Sequence, residues 1–173
     1  MQHTNIEIKA RSNNHDQIRK ILQTGNARFV GTDRQIDSYF NVNTGRLKLR
    51  EGNIENALIH YIREDKDEPK ESDVLLYQNG KNGLLKELLT RALGVSVIVD
   101  KEREIYFIDN VKFHLDKVKG LGEFIEIEAI GKDDAELENL MKQCKFYLNL
   151  FGIPNEDLIP HSYSDLLLQK SEQ

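Results

Sequence analysis

Apolar and polar residues alternate with a period of two along most of this chain, interrupted by three stretches of helical period. The alternating runs cover residues 5–10, 34–41, 47–50, 58–64, 74–78, 95–108, 111–118 and 124–130, and each predicts a strand. Helical spacing appears at 13–23, where Ile18, Ile21 and Leu22 share one side, and at 84–93, which ends before Gly94. The longest helical stretch follows Asp133 or Asp134 as cap and carries Leu137, Leu140, Met141, Cys144, Leu148 and Phe151 as its apolar stripe. The polar stretch 65–73 reads as a hairpin loop and 79–83 as a turn cluster. Eight strands and few helices predict an α+β fold. Its expected form is a mainly antiparallel, eight-stranded closed barrel or tunnel with the helices packed outside.

What alternates with the apolar residues sharpens this. Glu7 and Lys9 lie opposite Ile6 and Ile8, and Lys48 and Arg50 lie opposite Leu47 and Leu49. Tyr61 and Arg63 share a face; so do Lys101 and Arg103, His114 and Asp116, and Glu126 and Glu128. Taken singly, each is an ordinary strand with one wet face. Taken together with helices whose apolar stripes need a sheet to cover, they turn the charged faces into the barrel. A basic interior is costly unless an anion, water or carboxylates fill it. Lys9, Lys48, Arg50, Arg63, Lys101 and Arg103 offer phosphate oxygens both bidentate guanidinium forks and compact ammonium charges. Carboxylates in the same lining, Glu7, Asp116, Glu126 and Glu128, repel phosphate unless a hard cation such as Mg2+ or Mn2+ sits between. The pairing of acids with bases therefore points to a metal-bound polyphosphate.

At 173 residues the chain suits one domain spanning 1–173. Its single cysteine, Cys144, rules out an internal disulfide and a cysteine-rich zinc module, and fits a reducing cytoplasm. The net charge of −5 disfavours general nucleic-acid binding. No apolar run approaches membrane length, and the first residues carry no signal pattern. The expected ligand is thus a small-molecule polyphosphate, with neither nucleic acid nor membrane as partner.

Several short motifs stand in an order that resembles one family. Asn5-Ile6-Glu7-Ile8-Lys9 resembles an E-x-E-x-K signature, and Gln35 to Phe40 a Q-x-D-x-Y-F strand. Leu47 to Gly52, Tyr61-Ile62-Arg63 and Lys101-Glu102-Arg103 resemble basic strands, and His114 to Val118 with Leu121 to Glu128 an acidic end. These are similar to the CYTH superfamily, the triphosphate tunnel metalloenzymes named for class IV adenylyl cyclases and thiamine triphosphatases. The tail from His161 to Leu167 resembles the cyclase branch. The resemblance implies a metal-dependent enzyme that turns ATP into cyclic AMP and pyrophosphate. It leaves open a thiamine triphosphate or tripolyphosphate hydrolase, and a non-catalytic triphosphate binder. It also implies that Lys9, Arg50, Arg63, Lys101 and Arg103 carry catalysis, that Glu7, Asp116, Glu126 and Glu128 hold Mg2+ or Mn2+, and that a homodimer can form. In one place the chain departs from the pattern: Asn5 stands where the first carboxylate of E-x-E-x-K is expected.

Overall fold

The structure, a computed structural model, describes residues 2–63, 70–78, 80, 83–132 and 137–173, with the side chains of residues 2–4, 63 and 70–72 outside that description. Eight strands form, in chain order β1 (Gln2–Arg11), β2 (Arg28–Phe40), β3 (Arg46–Glu51), β4 (Asn56–Arg63), β5 (Lys70–Gln78), β6 (Val95–Ile108), β7 (Val111–Val118) and β8 (Gly122–Gly131). All neighbours are antiparallel, and the ring runs β1-β5-β4-β3-β2-β6-β7-β8 before closing on β1. The predicted fold class is the observed one. Strand ends differ modestly: β2 begins at Arg28, and 70–73, expected as loop, open β5. The remainder of that loop and the Asp133 or Asp134 cap lie outside the described residues.

Two helices cover the aliphatic outside of one arc. From α1 (His15–Thr24), Ile18 and Leu22 are buried; from α3 (Leu137–Leu150), Leu140, Cys144 and Leu148 are. They pack on Ile6, Ile8 and Ala10 of β1, Phe113 and Leu115 of β7, and Ile125, Ile127 and Ala129 of β8. Met141, expected in the α3 stripe, is instead more than a third exposed, because the stripe narrows to the residues that face β1 and β8. With the outward positions of β1 and β8 committed to this core, their alternate positions must point inward. Truncating Ile127→Ala, at 0 % exposure, is expected to cost about 2–5 kcal/mol, read as a lower urea midpoint.

Helix α2 (Gly83–Leu93) lies against β2 and buries none of its residues. A fourth helix, α4 (Tyr163–Ser171), follows a 3-10 turn at Asn155–Asp157. Its sequence was too short and too mixed for helical period to show, but its start is well specified. Ser162 and Asp165 form a reciprocal capping box, and Asp165 also accepts from Arg46 of β3 at 2.9 Å. Tyr163 is thereby carried into the end of the barrel, its ring 4.9 Å from that of Phe124. No described helix is long and apolar enough to cross a membrane.

Candidate triphosphate tunnel

The inward side chains enclose a cavity of about 540 Å3. Lys9, Lys48, Arg50, Lys101, Arg103, Glu7, Glu126 and Glu128, all expected from sequence, line it together. Two expected residues stand apart. Asp116 is fully buried behind Arg103 and does not reach the lumen; the side chain of Arg63 lies outside the described residues.

One wall is basic. Asp37 of β2 sits directly opposite Arg50 of β3, which grips it with two hydrogen bonds, Nε to Oδ1 at 2.8 Å and Nη2 to Oδ2 at 2.7 Å. Lys101 Nζ donates to the same Oδ2 at 2.7 Å, and Lys48 Nζ stands 3.4 Å from it. Three cations therefore share one carboxylate, leaving positive charge in excess. Burial would raise the pKa of Asp37, but Arg50, Lys101 and Lys48 outweigh it and hold the carboxyl well below the usual range. Lys101 shows the crowding from the other side. Burial first, then Arg50, Arg103 and Lys48, overcome the pull of Asp37 and bring its pKa down to about 7.

The adjoining set is balanced. Arg103 donates to Asp116 through Nε at 2.7 Å and Nη2 at 2.6 Å, and to Glu126 Oε2 at 2.6 Å. Lys9 pairs with Glu126 Oε1 at 2.9 Å, and the Tyr163 hydroxyl donates to Asp116 at 2.7 Å. Burial opposes ionisation of Glu126, yet Lys9 and Arg103 keep its pKa well below normal. These contacts commit Asp116 and Glu126 to cations.

The opposite, acidic wall lies on β1 and β8. Glu7 of β1 lies directly opposite Glu128 of β8, an arrangement of like charges that is unfavourable by itself. Asn5 Nδ2 donates to Glu128 Oε1, while Asn5 Oδ1 is buried without a hydrogen-bond partner among the described residues. Around the ring, the β1–β8 seam and the β2–β3 seam are separated by two strands on each side. The acidic and basic walls thus face each other across the lumen.

No three or more described His, Cys, Asp or Glu residues are grouped to hold a metal, so the four expected carboxylates do not form one ligand set. Two of them are already bound by Arg103. Glu7, Glu128 and the orphaned Asn5 Oδ1 nevertheless present hard oxygen donors in one place, which fits a divalent cation.

Sequence reasoning passed over three lumen residues. Asp37 stood out only as the acidic position of the Q-x-D-x-Y-F strand, with no role assigned to it, although Asp33, Gln35 and Asp37 form an alternating run that is wholly buried. Lys112 shares the inward parity of His114 and pairs with Glu55. Glu55 itself sits in the β3–β4 turn, where no periodicity helps. Its position is fixed by Asp33, whose carboxylate accepts the Ile54 and Glu55 N–H groups at 2.9 Å each. Gly52 makes that approach feasible, since a Cβ there would stand 2.6 Å from Asp33 Oδ1.

A closed antiparallel barrel with opposed basic and acidic walls defines a tunnel fold with a charged interior. The chain belongs to the CYTH domain family, whose model matches residues 3–163. A protein of Pyrococcus horikoshii has the same fold at 27% identity, covering 94% of this chain and 98% of its own, with a TM-score of 0.80. A Vibrio parahaemolyticus protein described as a candidate adenylate cyclase aligns at 18% identity over 95% of this chain and 98% of its own, with a TM-score of 0.72. A Hippeastrum protein, described as a candidate adenylyl cyclase with a dominant triphosphatase activity, aligns at 16% over 99% and 96%, with a TM-score of 0.60. No curated protein matches the chain.

Proposed function

We propose that this chain is a divalent-metal-dependent enzyme that acts on a nucleoside triphosphate, converting ATP to cyclic AMP and pyrophosphate. The observation that carries this reading is the opposition of the two walls within one cavity of about 540 Å3. Lys48, Arg50 and Lys101 carry the excess positive charge that takes phosphate oxygens, with Lys9 and Arg103 beside them. Glu7, Glu128 and Asn5 would hold Mg2+ or Mn2+, which when bound supplies charge neutralisation on the phosphates. The work of the protein is then positioning in a preorganised electrostatic frame, as in phosphoryl transfer generally. In cyclisation the 3′-hydroxyl oxygen bonds to the α-phosphorus, the α–β bridging oxygen departs with pyrophosphate, and the hydroxyl proton is released.

Triphosphate hydrolysis is the second reading, favoured by the Hippeastrum relative's triphosphatase activity on the same fold. The purified protein incubated with ATP, thiamine triphosphate or inorganic tripolyphosphate, each with Mg2+ or Mn2+, separates the two. Cyclic AMP with pyrophosphate is the expected result; phosphate release without cyclic AMP would install the hydrolase instead. Tight binding without product on all three would remove catalysis, and absence of binding would remove the triphosphate.

A further inference from the structure

Going round the ring, the two charged walls are joined on one side by β6 and β7 and on the other by β4 and β5. The β6–β7 side is charged as well, bringing Lys101, Arg103 and Lys112 to the lumen. The β4–β5 side is not. Ala57, Ile59 and Tyr61 of β4 and Val74 and Leu76 of β5 line the cavity. None of these five carries a charge, since burial holds the Tyr61 phenol protonated.

Register ties this apolar surface to the basic wall. Lys48 of β3 lies directly opposite Ile59, and Ile59 directly opposite Leu76; Arg50 lies opposite Ala57. Lys48 Nζ stands 5.5 Å from the ring centroid of Tyr39 and 5.4 Å from that of Tyr61, so one cation marks the line where the two surfaces meet. Ala57, Ile59 and Tyr61 are buried in a cluster with Tyr39, Val99 and Tyr163, which fixes the wall in place. Val74 and Leu76 pack on that cluster yet stay only half-buried. Leu75 and Tyr77 take the outward positions of β5, at 58% and 67% exposure, so what Val74 and Leu76 leave uncovered faces the lumen.

Apolar surface left wet inside a charged cavity forgoes the gain from burial. The oxygens of a phosphate chain cannot cover it, because they are drawn to the lysines and arginines beside it. An organic group at the end of that chain can cover it, lying over β4 and β5 while the phosphates engage Lys48 and Arg50. We propose that the β4–β5 wall seats the organic group of a triphosphate ester, so that this tunnel prefers an organic triphosphate to inorganic tripolyphosphate. This rests on the triphosphate reading above. Val74 and Leu76 are then specificity residues for the part of the ligand that is not phosphate.

The test is isothermal titration in Mg2+ with four probes: the α,β-methylene analogue of ATP, thiamine triphosphate, methyl triphosphate and inorganic tripolyphosphate. The lumen variant is Val74→Thr with Leu76→Asn, near-isosteric changes that make the wall polar; Leu75→Asn, on the outer face of the same strand, is its control. On wild type, the ATP analogue or thiamine triphosphate is expected to bind about five- to thirtyfold more tightly than methyl triphosphate, the value of a partly buried organic group. The lumen variant should lose most of that advantage, while methyl triphosphate and tripolyphosphate stay within about twofold, a change too small for a lost apolar contact. The heat-capacity change of binding should be more negative for the organic ligand than for tripolyphosphate on wild type, and the gap should shrink in the lumen variant. The tighter of the two organic probes names the source of the group, and either one supports the proposal. Equal weakening of all four probes, or of none, would overturn it, as would an equal loss in Leu75→Asn. If the lumen variant does not fold, wild type still decides: no advantage of either organic probe over methyl triphosphate removes the apolar seat. Absence of binding by any probe to wild type would instead bring down the triphosphate reading itself.

Discussion

Replacing Asp37 with alanine is expected to lower the melting temperature by roughly 6–20 °C, and tripolyphosphate is expected to return most of that loss. The magnitude follows from removing one partner of a buried ion pair, which costs about 3–5 kcal/mol, and from about 2–4 °C per kcal/mol in a chain of this length. Asp37 is 1% exposed and is the shared counter-charge of Arg50, Lys101 and Lys48. Without it, Lys101 and Lys48 lose this carboxylate and Arg50 keeps Glu55, at 3.2 Å, in a poorly solvated wall. A polyphosphate brings oxygens to the same place, so the ligand does in the variant what the carboxylate does in the wild type. Asp37→Asn, which keeps the shape and removes the charge, should behave similarly. A small loss, or a large one that tripolyphosphate leaves untouched, would mean that this wall is a structural ion-pair network and not an anion cradle.

The second large effect is in pH. Triphosphate affinity is expected to fall as pH rises above about 7, by up to about tenfold per unit, in the wild type and not in Lys101→Arg. The free protein holds the Lys101 ammonium only below about 7, whereas an unperturbed lysine keeps it to about 10.4. An anion beside Nζ favours the charged form, so binding above pH 7 must take up a proton. Titrations between pH 7 and 9 in two buffers of different ionisation enthalpy measure that proton directly. Stability moves in the opposite direction. Between about 7 and 10.4 the unfolded chain binds the proton that the folded one has released, so stability rises with pH across that window. Below 7 the charged lysine is carried at full cost. A pH-independent affinity in the wild type would mean that Lys101 does not meet the ligand.

Much of this was written in the alternation of β1 and β8, where Ile6, Ile8, Ile125 and Ile127 on one side mark the side buried against helices. The polarity of the interior follows, because a barrel with one apolar face needs the other face inward once helices cover the first. What alternation cannot supply is pairing. Whether Glu126 meets a metal or Arg103 depends on register across β6, β7 and β8, and register is decided by contacts far apart in sequence. Asp37 was visible as a motif position, but its role as partner of Arg50 and Lys101 was not, for the same reason. Glu55 had no signal of its own; the loop holding it is shaped by Asp33, some twenty residues away. Helix α4 was legible only as a motif, since nine residues with Tyr163 and Ser164 buried have little periodicity to show.

The closure of the ring by β1 has a consequence for how the chain reaches this state. β1 pairs with β5 and with β8, and β8 spans Gly122–Gly131. The strand made earliest is therefore completed last, after more than a hundred further residues have emerged. Until then β1 holds open hydrogen-bonding edges, and formation of the barrel waits on loop closure over most of the chain, a slow, non-local event. Once closed, the ring offers no strand end to peel. Exchange of the β1 amides should then require opening both seams together, giving slow assembly and a long-lived folded state.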